Sequence, residues 1–162
     1  GSRDILVAYN VNIDEKDELV SKKIGSLVRS SGRLIKQKDG RRMRVPGMLT
    51  LVQGMGVTLE SHGISQVSMN LRDVRQCPMH VAYEACKTLA EDHGLQAPGS
   101  ELVGLVPLEA MLDSGRWYAL EGETDEEILV AAAINGLGLS QLEEFVPTER
   151  IIEWAVSKAV EQ

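Results

Sequence analysis

An α+β fold, one antiparallel sheet with both helices on a single face, is predicted for this chain by three observations. Apolar and polar residues alternate along Val7 to Ile13 and again along Gln66 to Leu71, the period of a strand with two different faces. Two amphipathic stretches of helical period, about 15–30 and 78–93, are spaced between strand-like segments. The order along residues 3–108 is therefore βαββαβ.

Each element has its own local reason. Residues 4–13 form the first strand, and Asp14 stands where an N-cap would open a helix over 15–30. In that helix Leu19, Val20, Ile24, Leu27 and Val28 form the apolar stripe. Gly32, Gly40, Pro46 and Gly47 mark 31–47 as a loop. Residues 48–59, interrupted by Gly54 and Gly56, read as the second strand. His62-Gly63 turns the chain into a third strand over 64–71. Pro78 suits the first turn of the second helix, whose core side is Val81, Ala82, Ala85, Leu89 and Ala90, and Gly94 ends it. A fourth strand spans Glu101 to Val106 and stops at Pro107.

With right-handed crossovers, this order gives the ferredoxin-like arrangement, in which the first and third strands are neighbours at the sheet centre. Residues 108–162 read as a helical extension packed on the same domain. Thr124 and Glu127 match a capping box, Gly136 and Gly138 close that helix, and Pro147-Thr148 opens the last one.

The two alternating strands carry an unusual polar parity. Asn10 and Asn12 share one face of the first, and Gln66, Ser68 and Asn70 share one face of the other. Asn is disfavoured in strands, so three in register on a helix-free face suggest a surface that holds something. The plainer alternatives are a solvated face, or amides bonded to neighbouring loops.

Composition narrows the classes. At 162 residues, 43% hydrophobic and 25% charged, the chain suits one globular domain. Its net charge of −7 argues against a nucleic-acid binder. Base stacking on this fold also needs aromatic residues on the open face, and Tyr9 falls on the helix-covered parity. No stretch approaches the ~20 apolar residues of a membrane span, and no signal peptide is visible. Cys77 and Cys86 fit neither a disulfide framework nor a metal spacing, so a cytoplasmic setting is expected. Gly1-Ser2 reads as the remnant of a cleaved tag, so the chain is expected to be a piece of a longer protein.

Other candidates are weaker. Arg33, Lys36, Lys38, Arg41, Arg42 and Arg44 make the 33–46 loop a basic patch that could attract carboxylates, or a solvated loop. Of these, Arg33, Lys36, Arg41 and Arg42 are the candidate anion-binding set. Gly104, in mid-strand, suggests close approach of a ligand or backbone, or tight packing on the next helix. His80, in a helix first turn, could meet an anion or simply decorate the surface; His62 and His93 sit in turns. No nucleophile with a base partner and no metal constellation stands out, so no catalytic or metal-binding residue is assigned.

Five strings in order, D-I-L-V-A-Y-N-V-N from Asp4, Q-V-S-M-N-L from Gln66, Pro78-Met79-His80, G-S-E-L-V-G-L-V-P-L from Gly99 and P-T-E-R-I-I-E-W from Pro147, carry a resemblance. They resemble the C-terminal subdomain of the glutamate formimidoyltransferase (formiminotransferase) family, from Arg3 to about Val156. The resemblance implies a transferase moving a formimino group from N-formimino-L-glutamate to N5 of tetrahydrofolate, its co-substrate, in histidine breakdown. It implies two ferredoxin-like subdomains with folate between them and the catalytic histidine in the N-terminal one, so this half alone is expected to be inactive. Asn10, Asn12, Gln66, Ser68, Asn70 and Gly104 would then line the folate and substrate site, and the amides would match a pterin edge without charge. The partners implied are the N-terminal subdomain and a homo-oligomer of the full-length protein, with no nucleic acid and no membrane. The 33–46 loop departs from the family in being longer and more basic. A non-catalytic binding or dimerisation module of the same fold is the competing reading.

Overall fold

The computed structural model describes residues 6–29, 34–36, 39–44 and 55–160. The elements are β1 (Val7–Ile13), α1 (Glu18–Arg29), β2 (Leu34–Lys36), β3 (Arg42–Arg44), β4 (Met55–Leu59), β5 (Ile64–Leu71), α2 (Met79–Asp92), β6 (Gly99–Val103), α3 (Leu108–Tyr118), α4 (Glu126–Leu137), α5 (Pro147–Arg150) and α6 (Ile152–Val160). Four strands form an antiparallel sheet in the order β4-β5-β1-β6, and β2-β3 is a separate two-stranded ribbon. This is the α+β, ferredoxin-like arrangement expected from the sequence.

Alternation decides how the sheet sits. Val7, Tyr9, Val11 and Ile13 are wholly buried, and Val67, Met69 and Leu71 continue the same parity on β5. Helices α1 and α2 pack against this face and against each other. Each such side chain contributes about 1.5–3 kcal/mol of burial, and a one-residue slip of β1 would turn all of them outward. The register is therefore strongly specified.

Several local expectations are corrected. Helix α1 starts at Glu18, because Asp17 rather than Asp14 caps it, Oδ1 accepting from the Leu19 N–H at 2.9 Å. Asp14 is held elsewhere, its N–H donating to the Gln96 carbonyl at 2.9 Å. Ser21, Ile24, Gly25 and Val28 face inward, while Leu19 is exposed. The 31–47 loop contains the β2-β3 ribbon. Of the expected second strand, 48–54 lies outside the described residues. Strand β6 runs two residues earlier and ends sooner than expected, since Gly104 turns the chain with φ +83°.

The C-terminal part differs likewise. Asp125, not Thr124, caps α4, accepting from the Ile128 N–H at 3.1 Å. Gly136 lies inside that helix against the Tyr118 ring, and Gly138 ends it with φ +59°. The last helix is broken at Ile151, which pairs in parallel with Val106. The Val106 N–H donates to the Arg150 carbonyl and the Val106 carbonyl accepts from the Ile152 N–H, at 2.9 and 3.0 Å. Those two bonds draw the backbone out of the helix.

Met111, Leu129, Ala133, Leu137 and Ile151 belong to the same apolar cluster as Tyr9 and Val11. The C-terminal segment also seals the outer edge of β6. Gly138 accepts from the Ser100 N–H at 3.1 Å, and the Arg150 guanidinium donates to the Gly104 carbonyl at 3.0 Å and to that of Leu102.

Helices α3 and α4 meet at Gly115, where a Cβ would lie 2.1 Å from the Leu129 carbonyl oxygen. Gly115→Ala is expected to lower the unfolding free energy by roughly 1–3 kcal/mol through overpacking against backbone. Urea titration should show a lower midpoint at unchanged slope; an unmoved midpoint would mean that the helices part without cost.

Candidate ligand-binding face

The face opposite the helices is built in rows across the sheet. One row runs Glu101, Asn10, Ser68, Met55; the next runs Gly99, Asn12, Gln66, Val57; a third holds Val103, Ala8 and Asn70. The predicted residues Asn10, Asn12, Gln66, Ser68 and Asn70 are thus brought together on the two central strands. Around them Leu6, Met55 and Val103 are more than half exposed, leaving apolar surface beside the polar centre.

The five do not play equal parts. The Gln66 Nε2 donates to Asn12 Oδ1 at 2.8 Å, and Asn12 Nδ2 donates to Gln141 Oε1 at 2.8 Å. Asn12 and Gln66 are accordingly buried, at 0% and 3% exposure. Gln141 comes from the segment after α4, which crosses that end of the face and packs on Gly99. At this end the loop-bonding alternative holds. Asn10, Ser68 and Asn70 remain half-buried. Ser68 and Asn70 have no side-chain hydrogen bond among the described residues, so their polar groups are available to a ligand.

Two members of the face escaped the sequence reading. Glu101 accepts from Asn10 Nδ2 and from Gln66 Nε2, each at 3.4 Å. Its position was legible in the alternation of Gly99 to Val103, once that strand is paired with β1. Gln141 is 129 positions from Asn12, and no local pattern announced it.

The other candidates fall elsewhere. Gly104 lies one residue past β6, and a Cβ there would meet nothing within 4 Å. Its left-handed backbone, rather than close protein packing, calls for glycine. Of the basic patch, Arg33 is outside the described residues, and Lys36 and Arg42 pair across the β2-β3 ribbon by backbone register. Arg41 is engaged: its Nε binds Asp39 Oδ2 at 2.6 Å, and its guanidinium stacks 4.2 Å from the Trp117 ring centre. The Arg41 backbone N–H and guanidinium together hold the Asp39 carboxyl below its ordinary pKa. A groove of about 630 Å³ between α4 and α6 and a concavity of about 490 Å³ beside Arg41 and Arg116 both lie away from the amide face.

His80 is not surface decoration. It is buried between α2 and α3, with Nδ1 3.1 Å from Ser114 Oγ and its ring stacked on Trp117 at 5.4 Å. Burial pushes its pKa down to about 4, so it stays neutral as packing. Cys77 and Cys86 are buried free thiols, and burial pushes the Cys77 thiol up to about 12. Among the described residues no cluster of three or more His, Cys, Asp or Glu could hold a metal ion. No helix among them is long and apolar enough to cross a membrane.

Comparison with known proteins adds a family to this geometry. The model of the formiminotransferase domain family matches residues 8–157. A formimidoyltransferase-cyclodeaminase of Gallus gallus is 40% identical over 99% of this chain, which spans 29% of that relative. The protein of that name from Dictyostelium discoideum is 38% identical over 98% of the chain and 28% of the relative. A glutamate formimidoyltransferase of Thermoplasma acidophilum is 36% identical over 78% of the chain and 37% of the relative. The chain thus spans less than a third of the two formimidoyltransferase-cyclodeaminases and little more than a third of the glutamate formimidoyltransferase.

Two outcomes follow from the geometry. Asn12→Ala strands a buried Gln66 donor and is expected to cost roughly 1–3 kcal/mol of stability, whereas Asn70→Ala should stay within about 0.5 kcal/mol. Equal costs in chemical denaturation would refute that division of the face. For His80, the unfolded imidazole gains its proton near the ordinary 6.5 and the native one only near about 4. Stability should therefore fall as pH drops from 6.5 towards 4 and level off below, by about 3 kcal/mol in all. Unfolding curves of the wild type and His80→Gln across that window should converge at low pH; parallel curves would contradict the assignment.

Proposed function

Since this chain belongs to the formiminotransferase family, we propose that it is the C-terminal, folate-side half of a glutamate formimidoyltransferase. The observation that carries this reading is the central amide face: uncharged at Asn10, Ser68 and Asn70, uncovered by helices, and edged with exposed Met55 and Val103. Such a face suits one wall of a cleft whose other wall is a second protein body. That body is the N-terminal subdomain, and the relatives' greater length leaves room for it.

In the reaction, N5 of tetrahydrofolate attacks the formimino carbon of N-formimino-L-glutamate. A new C–N bond forms, the bond to the glutamate nitrogen breaks, and that nitrogen leaves with a proton. The proton is handled by a base in the N-terminal half. This half contributes position: Asn10, Ser68 and Asn70 bind the reactants' polar edges, while buried Asn12 and Gln66 hold the strands that carry them. Gly104 edges the same end of the sheet as Asn70. Any anion-binding contribution of the 33–46 segment, to the substrate's carboxylates, falls to Arg33, Lys36 and Arg42, since Arg41 is taken by Asp39 and Trp117.

The exposed apolar edges of the face also favour a second reading, a non-catalytic pairing module. One experiment separates the two. The chain alone should not turn over N-formimino-L-glutamate and tetrahydrofolate, and adding the separately expressed N-terminal half should restore activity. In the reconstituted pair, Asn10→Ala with Asn70→Ala should lower kcat/KM by about tenfold or more, as expected for lost polar contacts of 1–2 kcal/mol. Turnover by this chain alone, or a reconstituted pair indifferent to both substitutions, would sink the proposal. Self-association without folate binding would favour the pairing module.

A further inference from the structure

Glu101 stands apart from the rest of the amide face. It is the one ionisable side chain in the three central rows of the face, at the β6 end of the row that contains Asn10 and Ser68. Asn10 Nδ2 and Gln66 Nε2 both donate to its Oε1, at 3.4 Å each, which holds the carboxylate at the face. Its other oxygen takes no hydrogen bond among the described residues, and no Lys or Arg among them pairs with it. Arg150 borders the same small cavity of about 60 Å³, but its guanidinium is given to the carbonyls of Leu102 and Gly104. A half-buried carboxylate steered by two amides thus keeps one oxygen free to accept from a ligand.

We propose that Glu101 is the ligand-selecting residue of this face, accepting a planar N–C–N pair of N–H donors from a bound reactant. The inference rests on the formimidoyltransferase reading above. Two reactants carry that fork: the formimino group of the donor, an amidine that is cationic at neutral pH, and the 2-amino pyrimidinone edge of a reduced folate. The free Oε2 accepts one N–H of either fork, and Oε1 can take the second in place of one of its two long 3.4 Å amide contacts; the amidinium adds charge. Neutral amides cannot make that distinction, because each offers donors as readily as acceptors.

The test is titration calorimetry of the chain mixed with equimolar N-terminal half, as wild type, Glu101→Gln and Glu101→Asp. The ligands are N-formimino-L-glutamate, 5-formyltetrahydrofolate and, as a fork-free control, L-glutamate. Glu101→Gln keeps an acceptor for Asn10 and Gln66 but puts an N–H against the incoming fork. It should weaken one fork-bearing ligand about tenfold or more, with Glu101→Asp in between and glutamate unchanged; which ligand weakens identifies the source of the fork. Matching thermal midpoints for the three proteins show that the fold is intact. If the wild type binds and both variants bind equally well, Glu101 is not the selector, and the formimidoyltransferase reading survives. If the wild-type pair binds neither fork-bearing ligand, that reading fails and this assignment with it.

Discussion

Strand β1 has to satisfy two environments at once, and the rest of the molecule is arranged around that demand. One parity, Val7, Tyr9, Val11 and Ile13, is wholly buried under the helices. The other, Ala8, Asn10 and Asn12, lies on the face the helices leave open. Because β1 is central, between β5 and β6, neither side can be relieved by exposing an edge. The helix side sets the register by burial, and the amide side must then accept whatever neighbours that register provides. Asn10 meets Ser68 and Glu101, and Asn12 meets Gln66 and Gly99, as a consequence of packing on the other face.

That consequence is resolved differently along the strand. At Asn12 the protein supplies its own cover: Gln141 accepts from Asn12, Gly138 takes the Ser100 N–H, and the polar groups are consumed in structure. Nearer Asn10 and Asn70 no such cover is placed among the described residues, and half-buried polar groups remain there. One pattern of alternation thus yields a structural half and a receptive half, and the boundary between them is where the C-terminal segment stops covering the sheet. Glu101 sits at that boundary, bonded to a member of each.

Much of this was legible from residues alone. The element order, the helix-facing apolar set and the five polar strand residues all follow from periodicity, a short-range property. The failures share a cause. Asp14 has good capping chemistry, but its N–H is taken by Gln96, and Asp17 caps instead. Gly136 looks like a helix stop, yet its missing Cβ makes room for Tyr118. Ile151 keeps helical spacing with its successors, but Val106 captures the backbone on both sides of it. In each case a distant partner outcompetes a sound local preference, and no local pattern names that partner.

The same division holds for function. The sequence by itself determined which faces exist, because alternation is built into the chain at every second residue. It also carried the family in its ordered strings, and with it the expectation of a two-part site. Only the tertiary structure decided which amides are spent and which are offered. Asn12 and Gln66 are spent on Gln141 and on each other, and Asn10 donates to Gln66 and Glu101; Ser68 and Asn70 carry no side-chain hydrogen bond among the described residues. It likewise brought Glu101 and the buried neutral His80 to their present surroundings. The physical reason is that hydrogen-bond satisfaction is settled between residues far apart in the chain, whereas alternation is settled between neighbours.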